Sequence, residues 1–149
     1  MRGTTGLVLV ALFWSLNWSL PGLRTHWGFF PLWLGYCMTV DAWTWRRSGT
    51  SLWTRSRGQY VGLFMVSAPI WWLFELINVR TNNWIYEGRA EFTNLEYFLW
   101  ASLSFSTVIP AVFGTSECVS GLEWIKKLSS TPPFEMRKGV RLGLIAAGV

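Results

Sequence analysis

The chain has 149 residues, of which 51% are hydrophobic, only 14% are charged and 12 are tryptophan. A soluble domain of this length would have to bury more apolar surface than its size allows, so the composition argues against a soluble fold and for a protein of the lipid bilayer. The formal net charge is +5, but no nucleic-acid-binding motif accompanies the basic residues, and we expect no nucleic-acid partner.

Four stretches of the chain are long and apolar enough to span a membrane as helices, which need about 20 mostly apolar residues. They are residues 4–20, 27–45, 59–79 and 95–113. A fifth apolar run begins at residue 139 and stops after about half a span, so we expect this helix to be truncated. The predicted fold is an all-α integral membrane protein. It forms a single transmembrane domain over residues 1–149, with four complete helices and the start of a fifth.

The basic residues are concentrated in two of the connections between these spans. One connection carries Arg46, Arg47, Arg55 and Arg57, and the other carries Lys126, Lys127, Arg137, Lys138 and Arg141. By the positive-inside rule, both connections and the N-terminus face the cytoplasm, while loops 21–26 and 80–94 face outward. We therefore expect the protein in a cell membrane, namely a bacterial inner membrane.

The second basic connection begins with an amphipathic pattern. Apolar residues recur at helical spacing between charged and polar positions, and they are Val119, Leu122, Ile125 and Leu128. This pattern predicts an interfacial helix over residues 116–128, lying on the cytoplasmic leaflet.

Carboxylates within spanning segments are expensive and need a physical reason. Glu75 and Glu96 are predicted at similar depth, on two helices joined by an external loop. Two carboxylates close together in a low dielectric do not both ionise easily, which makes Glu75 and Glu96 candidate catalytic acids. The structural alternatives are that Glu75 pairs with Arg80 and that Glu96 stabilises the start of its own helix. Asp41 is expected to reach lipid head groups or to pair with a nearby arginine.

Polar and aromatic residues around this loop and in the fourth span are candidates for substrate binding. They are Asn78, Asn83, Trp84, Tyr86, Ser102 and Ser106. Two structural alternatives stay open at this point. Asparagine is also favoured in turns for local reasons, and small hydroxyl residues also let membrane helices pack closely.

A local pattern resembles a known family. The run from Trp71 to Glu75, the pair Trp84 and Tyr86, and the run from Asn94 to Phe98 are similar in order to the lycopene cyclase domains, which are carotenoid-cyclising membrane proteins. Asn94 and Tyr97 stand where that family has a proline and a second glutamate. The resemblance implies that Glu75 or Glu96 protonates a long isoprenoid, with aromatic rings stabilising the resulting cation.

Three functions follow from these patterns. The first is a non-catalytic subunit or scaffold in a membrane complex, which we expect because no complete catalytic set is present. The alternatives are an intramembrane acid catalyst acting on an isoprenoid or carotenoid-like lipid, and an oligomeric transporter of a small solute or lipid. No metal or cofactor motif is found, and none is predicted. The expected partners are the lipid bilayer, an apolar isoprenoid-type ligand and other membrane proteins.

Overall fold

The computed structural model describes residues 1–20 and 27–129, and this part of the chain is all-helical, without strands. The prediction of an all-α chain is confirmed for these residues. The helices are α1 (Arg2–Ser19), α2 (Phe29–Ser48), α3 (Leu52–Arg55), α4 (Arg57–Thr81), α5 (Asn94–Phe105), α6 (Val108–Ser120) and α7 (Glu123–Ser129), with a 3-10 turn at Arg89–Glu91. The predicted loop 21–26 and the predicted fifth helix from residue 139 lie outside the described residues.

Two helical segments of the described chain are long and apolar enough to cross a membrane. One is α4, with 25 residues, and the other is the 27-residue segment Asn94–Ser120 that contains α5 and α6; within them, an 18-residue window reaches a mean hydropathy of 1.6 and 1.4, respectively. This result rests on length and composition alone. Helices α1 and α2 occupy the other two stretches predicted as spans, and the four-span bundle stays a prediction.

Helices α1 and α2 pack against each other through two glycines. A Cβ atom built on Gly6 would lie 2.7 Å from the carbonyl oxygen of Gly35, and one built on Gly35 would lie 2.7 Å from Leu9 Cβ. A larger side chain at either position would therefore push the two backbones apart. Small residues at the crossing point are typical of closely packed membrane helices.

The segment predicted as the fourth span is divided into α5 and α6 at Ser106 and Thr107. Pro110 lies one turn after the interruption and contributes to it, although α4 continues through Pro69 without a break. A proline has no N–H to donate to the carbonyl four residues earlier, and its ring clashes with that carbonyl. Thr107 N instead donates to the carbonyl of Ser104, at 3.2 Å, which tightens the last turn of α5.

The hydroxyl of Ser67 in α4 bridges two backbone groups that are not paired with each other at the break between α5 and α6. This hydroxyl donates to the carbonyl of Phe105 and accepts from the backbone N–H of Ile109 at 3.0 Å. Those two backbone groups would pair with each other in an uninterrupted helix. Ser67 is only 1% exposed, so the bridge joins α4 to the α5–α6 junction inside the protein.

The amphipathic segment 116–128 is divided between two helices. Residues up to Ser120 continue α6, and α7 begins at Glu123. The junction is attached to earlier parts of the chain, because Arg47 of α2 donates to the carbonyl of Gly121 at 3.0 Å and Arg55 forms an ion pair with Glu117. The Glu117 partner raises the pKa of Arg55.

Candidate functional site

The loop 82–93 that follows α4 is held by Asn78. The side-chain oxygen of Asn78 accepts from the backbone N–H groups of Asn83, at 2.9 Å, and Trp84, at 3.2 Å, while its amide donates to the carbonyl of Trp84 at 2.8 Å. Asn82 caps the helix in the left-handed conformation, with φ of 50°. The side chain of Asn78 therefore stabilises a turn, which is the structural alternative to binding a substrate.

Glu75 accepts hydrogen bonds from two aromatic side chains of the same loop. One of its carboxylate oxygens lies 2.6 Å from the Tyr86 hydroxyl and 3.2 Å from Trp84 Nε1. The sequence had offered Arg80 as a partner, and these two neutral donors are found instead. Trp71 Nε1 in turn donates to the Tyr86 oxygen at 3.5 Å. Burial and the bond to Glu75 raise the pKa of Tyr86 to about 12, so its hydroxyl remains a donor at neutral pH.

Glu96 forms a capping box at the start of α5. Its carboxylate accepts from the backbone N–H of Thr93 at 2.9 Å and from the Thr93 hydroxyl at 2.7 Å, and Thr93 Oγ1 accepts from the Glu96 N–H at 3.3 Å. The first N–H groups of a helix have no intrahelical partner, and this pattern satisfies them. The carboxylate of Glu96 thus stabilises the start of its own helix.

An aromatic cavity of about 330 Å³ lies beside the loop. Tyr86 and Trp71, which belong to the Glu75 cluster, form part of its wall. Other residues in the wall include Phe29, Arg89, Tyr97 and Trp100. Neither Glu75 nor Glu96 lines this cavity. The polar groups of the wall also include the Glu87 carboxylate, while the Glu75 carboxylate lies behind the Tyr86 hydroxyl.

A larger cavity of about 700 Å³ lies between α2, α4 and α5, and we call it the groove. Its walls are mostly apolar, and Ser102 and Ser106 are among them. Both hydroxyls have partners in the protein, since Ser102 Oγ accepts from Trp72 Nε1 at 2.9 Å and the Ser106 hydroxyl donates to the carbonyl of Leu103 at 2.7 Å. Glu75 and Glu96 do not line the groove either.

Asp41 closes one end of the groove and is only 5% exposed. Its carboxylate accepts from the Ser51 hydroxyl at 3.0 Å and from the backbone N–H of Trp53 at 3.0 Å. The guanidinium of Arg2 approaches to 3.4 Å. The expectation that Asp41 pairs with a nearby arginine holds in space, but the partner belongs to α1 and is distant in sequence.

Two guanidinium groups lie over the ring of Trp53 at this end of the groove. The guanidinium carbons of Arg2 and Arg57 each lie 5.6 Å from its ring centroid, within the range of a cation–π contact. The Trp53 and Tyr60 rings also form a T-shaped pair, with centroids 5.8 Å apart. Trp53 thus contacts three side chains of the protein, those of Arg2, Arg57 and Tyr60.

The structure divides the predicted site residues into three places. The loop after α4 brings together Glu75, Asn78, Asn83, Trp84 and Tyr86. Glu96 pairs with Thr93, while Ser102 and Ser106 line the groove. Sequence reasoning missed the bridging role of Ser67, whose only signal was a serine in an apolar span. It also missed Arg2 and Ser51 as partners of Asp41.

No protein-family model matches this chain, and neither a curated protein nor a solved structure is significantly similar to it. The local resemblance to the lycopene cyclase domains stays a prediction, carried by the residues quoted for it. The functional argument therefore depends on the geometry described above.

Proposed function

We propose that this chain is an integral membrane protein with four spanning helices, and that it is a non-catalytic subunit or scaffold that holds a long apolar molecule in the groove. The N-terminus and the basic connections face the cytoplasm of a bacterial cell. The observation that carries this proposal is that both candidate acids hold local structure and that neither lines the aromatic cavity or the groove.

The engagement of the two glutamates argues against catalysis by them. An acid that protonates a polyene must face the substrate directly or through one bridging group. The bonds of Glu96 hold the start of α5, and the bonds of Glu75 hold loop 82–93. Both side chains therefore have structural roles that do not require a substrate.

The exposed surface of α4 supports a lipid environment. Large apolar side chains on this helix are open to the surroundings, including Met65 (68%), Leu73 (60%), Leu76 (70%) and Val79 (76%). A patch of this kind is unfavourable in water and ordinary in a bilayer.

The shape and the apolar walls of the groove support a long apolar molecule as its ligand. The α2 wall contains Phe30, Leu34, Met38 and Asp41, whose spacing places them along one helix face. From Phe30 to Asp41 this face extends roughly 16 Å along the helix axis. An elongated apolar space of this shape suits a hydrocarbon chain rather than a compact polar solute.

Ligand binding is tested by purifying the protein in mild detergent and identifying co-purified apolar molecules by mass spectrometry. Ala68 lines the groove, so Ala68→Phe should fill it and reduce the bound molecule to background. Val66→Phe is the matched control, since Val66 is 48% exposed on the same helix and does not line the groove. Equal retention by both variants would remove the groove as the binding site.

The orientation is tested with cysteines in a Cys118→Ser background. A thiol reagent that does not cross membranes should label Glu87→Cys in intact cells, and should label Thr50→Cys only after permeabilisation. Both positions are exposed, so a difference in labelling reports the side of the membrane. The reverse pattern would contradict the proposed orientation.

One observation favours the acid-catalyst alternative. Tyr86 donates to Glu75 and also forms part of the wall of the aromatic cavity, so its hydroxyl would relay a proton to a ligand there if it turned to accept from a protonated Glu75 while giving its own proton to the ligand. In this alternative, wild-type protein converts an added linear carotenoid into a ring-bearing isomer, and both Glu75→Gln and Tyr86→Phe abolish the conversion. Under the main proposal, chromatography detects no conversion by any of the three proteins.

A further inference from the structure

The end of the groove that contains Asp41 also carries two cationic side chains. Arg2 and Trp53 line the groove, and Arg57 lies over the same Trp53 ring. Arg57 is exposed, and the side chain of Arg2 is 36% exposed. The remaining walls are apolar apart from hydroxyl groups. The cavity is thus long and apolar with positive charge at one end.

Asp41 cancels only part of this positive charge. Its carboxylate receives the Ser51 hydroxyl and the Trp53 N–H at 3.0 Å each, whereas the Arg2 guanidinium lies farther away at 3.4 Å. This end of the groove thus has one carboxylate and two guanidinium groups, so the net charge of these three side chains is positive. The nearby Arg55 is paired with Glu117, so that ion pair is neutral in sum.

We propose that the groove binds one anionic phospholipid, with an acyl chain along α2 and the phosphate between Arg2 and Arg57. This inference rests on the proposed function, because it names the class of the apolar ligand. The groove face of roughly 16 Å matches one leaflet of a hydrocarbon core about 30 Å thick. Guanidinium groups are suited to bind phosphate because they offer several donors in a planar fork.

The predicted orientation supports a phospholipid of the cytoplasmic leaflet. The arginine end of the groove belongs to the N-terminus and to the first basic connection, both of which we place in the cytoplasm. Anionic lipids in that leaflet attract basic side chains near the membrane surface. The cationic end of the groove would then lie at the depth of the head groups, while its apolar walls accompany the acyl chain.

The test is native mass spectrometry of the detergent-purified protein with phosphatidylglycerol or phosphatidylcholine of identical acyl chains. Wild-type protein should retain one phosphatidylglycerol in clear preference to phosphatidylcholine. The double variant Arg2→Gln/Arg57→Gln should bind phosphatidylglycerol about thirtyfold more weakly. Arg80→Gln, at the opposite end of α4, is the matched control and should retain the wild-type preference. The single variant Arg57→Gln provides a second reading, because Arg57 is exposed and its loss should not impair folding.

The outcomes separate this inference from the proposed function. Equal retention of both lipids, reduced by Ala68→Phe, would overturn the anionic-lipid inference and leave an apolar ligand in the groove. Retention that Ala68→Phe does not reduce would overturn both. A dimer mass that replaces lipid binding would show a second copy as the occupant and also overturn the inference. Preference for phosphatidylglycerol that is lost only in the arginine variants would support it.

Discussion

Asp41 and Glu75 use a carboxylate to hold the segment that follows their helix, at opposite ends of the described helices. Asp41 of α2 binds residues 10 and 12 positions later, and Glu75 of α4 binds residues 9 and 11 positions later. The donors differ. Asp41 is 5% exposed and receives a hydroxyl, a backbone N–H and a guanidinium. Glu75 is half-buried and receives an indole and a phenol.

This difference shows how burial selects the partners of a carboxylate. A deeply buried charge needs an opposite charge and full hydrogen bonding, because desolvation is costly. Glu75 keeps contact with its surroundings, and two neutral aromatic donors are enough there. The two regions should therefore respond unequally to the loss of their carboxylates.

Asp41→Ala should have the largest effect. The change leaves the Ser51 hydroxyl, the Trp53 N–H and Arg2 without their shared acceptor, and we expect a loss of about 3 kcal/mol in the free energy of unfolding. Glu75→Ala should lose about 1 kcal/mol, because its donors are more exposed. Unfolding by SDS in mixed micelles measures both. Equal losses would contradict the comparison.

Ser67→Ala tests the bridge that lies between the two regions. The substitution leaves the Phe105 carbonyl and the Ile109 N–H unpaired inside the protein, and should cost about 2 kcal/mol in the same assay. Ser106→Ala is the control, because the Ser106 hydroxyl bonds only within its own helix and its loss should cost less than about 0.5 kcal/mol. A small effect of Ser67→Ala would mean that water or a shifted backbone replaces the bridge.

Tyr86→Phe should have a smaller effect, of about 1 kcal/mol, because it removes one hydrogen bond to a carboxylate that retains Trp84. Hydrogen exchange in loop 82–93 should rise in this variant and stay unchanged near Asp41. A double-mutant cycle with Glu75→Gln measures the coupling directly. Fully additive losses would indicate that the 2.6 Å contact contributes nothing to stability.

The pH dependence of Tyr86 is the smallest expected effect. Its pKa is raised from 10.0 to about 12, so the folded state favours the protonated phenol. The resulting stabilisation is complete below pH 10 and is lost as the pH rises through about 12. The absorbance difference between wild type and Tyr86→Phe should show one tyrosine that ionises late. Ionisation near pH 10 would contradict the hydrogen bond to Glu75.

The helices could be predicted from the chain because apolar runs of sufficient length define them locally. Residues 59–79 lie within α4, whereas the break before Pro110 was not predicted, and α4 continues through Pro69 without one. The role of Glu96 at the start of α5 was one of the two alternatives predicted for this residue. Thr93 stands three residues before it, as a capping box requires. These features depend on neighbours within a few residues.

The contacts around the candidate site could not be predicted because they join residues that are distant in sequence. Arg2 meets Asp41 across 39 positions, and Ser67 meets Phe105 across 38. Many packings of the same helices are compatible with one apolar pattern, so periodicity cannot select these pairs.

The sequence by itself determined that the described part of the chain is helical with long apolar segments, since hydrophobic length acts within single helices. Tertiary structure alone decided that Glu75 holds a loop, and that Arg2 and Arg57 meet around Trp53 at one end of the groove. Partner choice of this kind depends on which helices lie side by side. That choice is made by packing over the whole chain and not by any local run of residues.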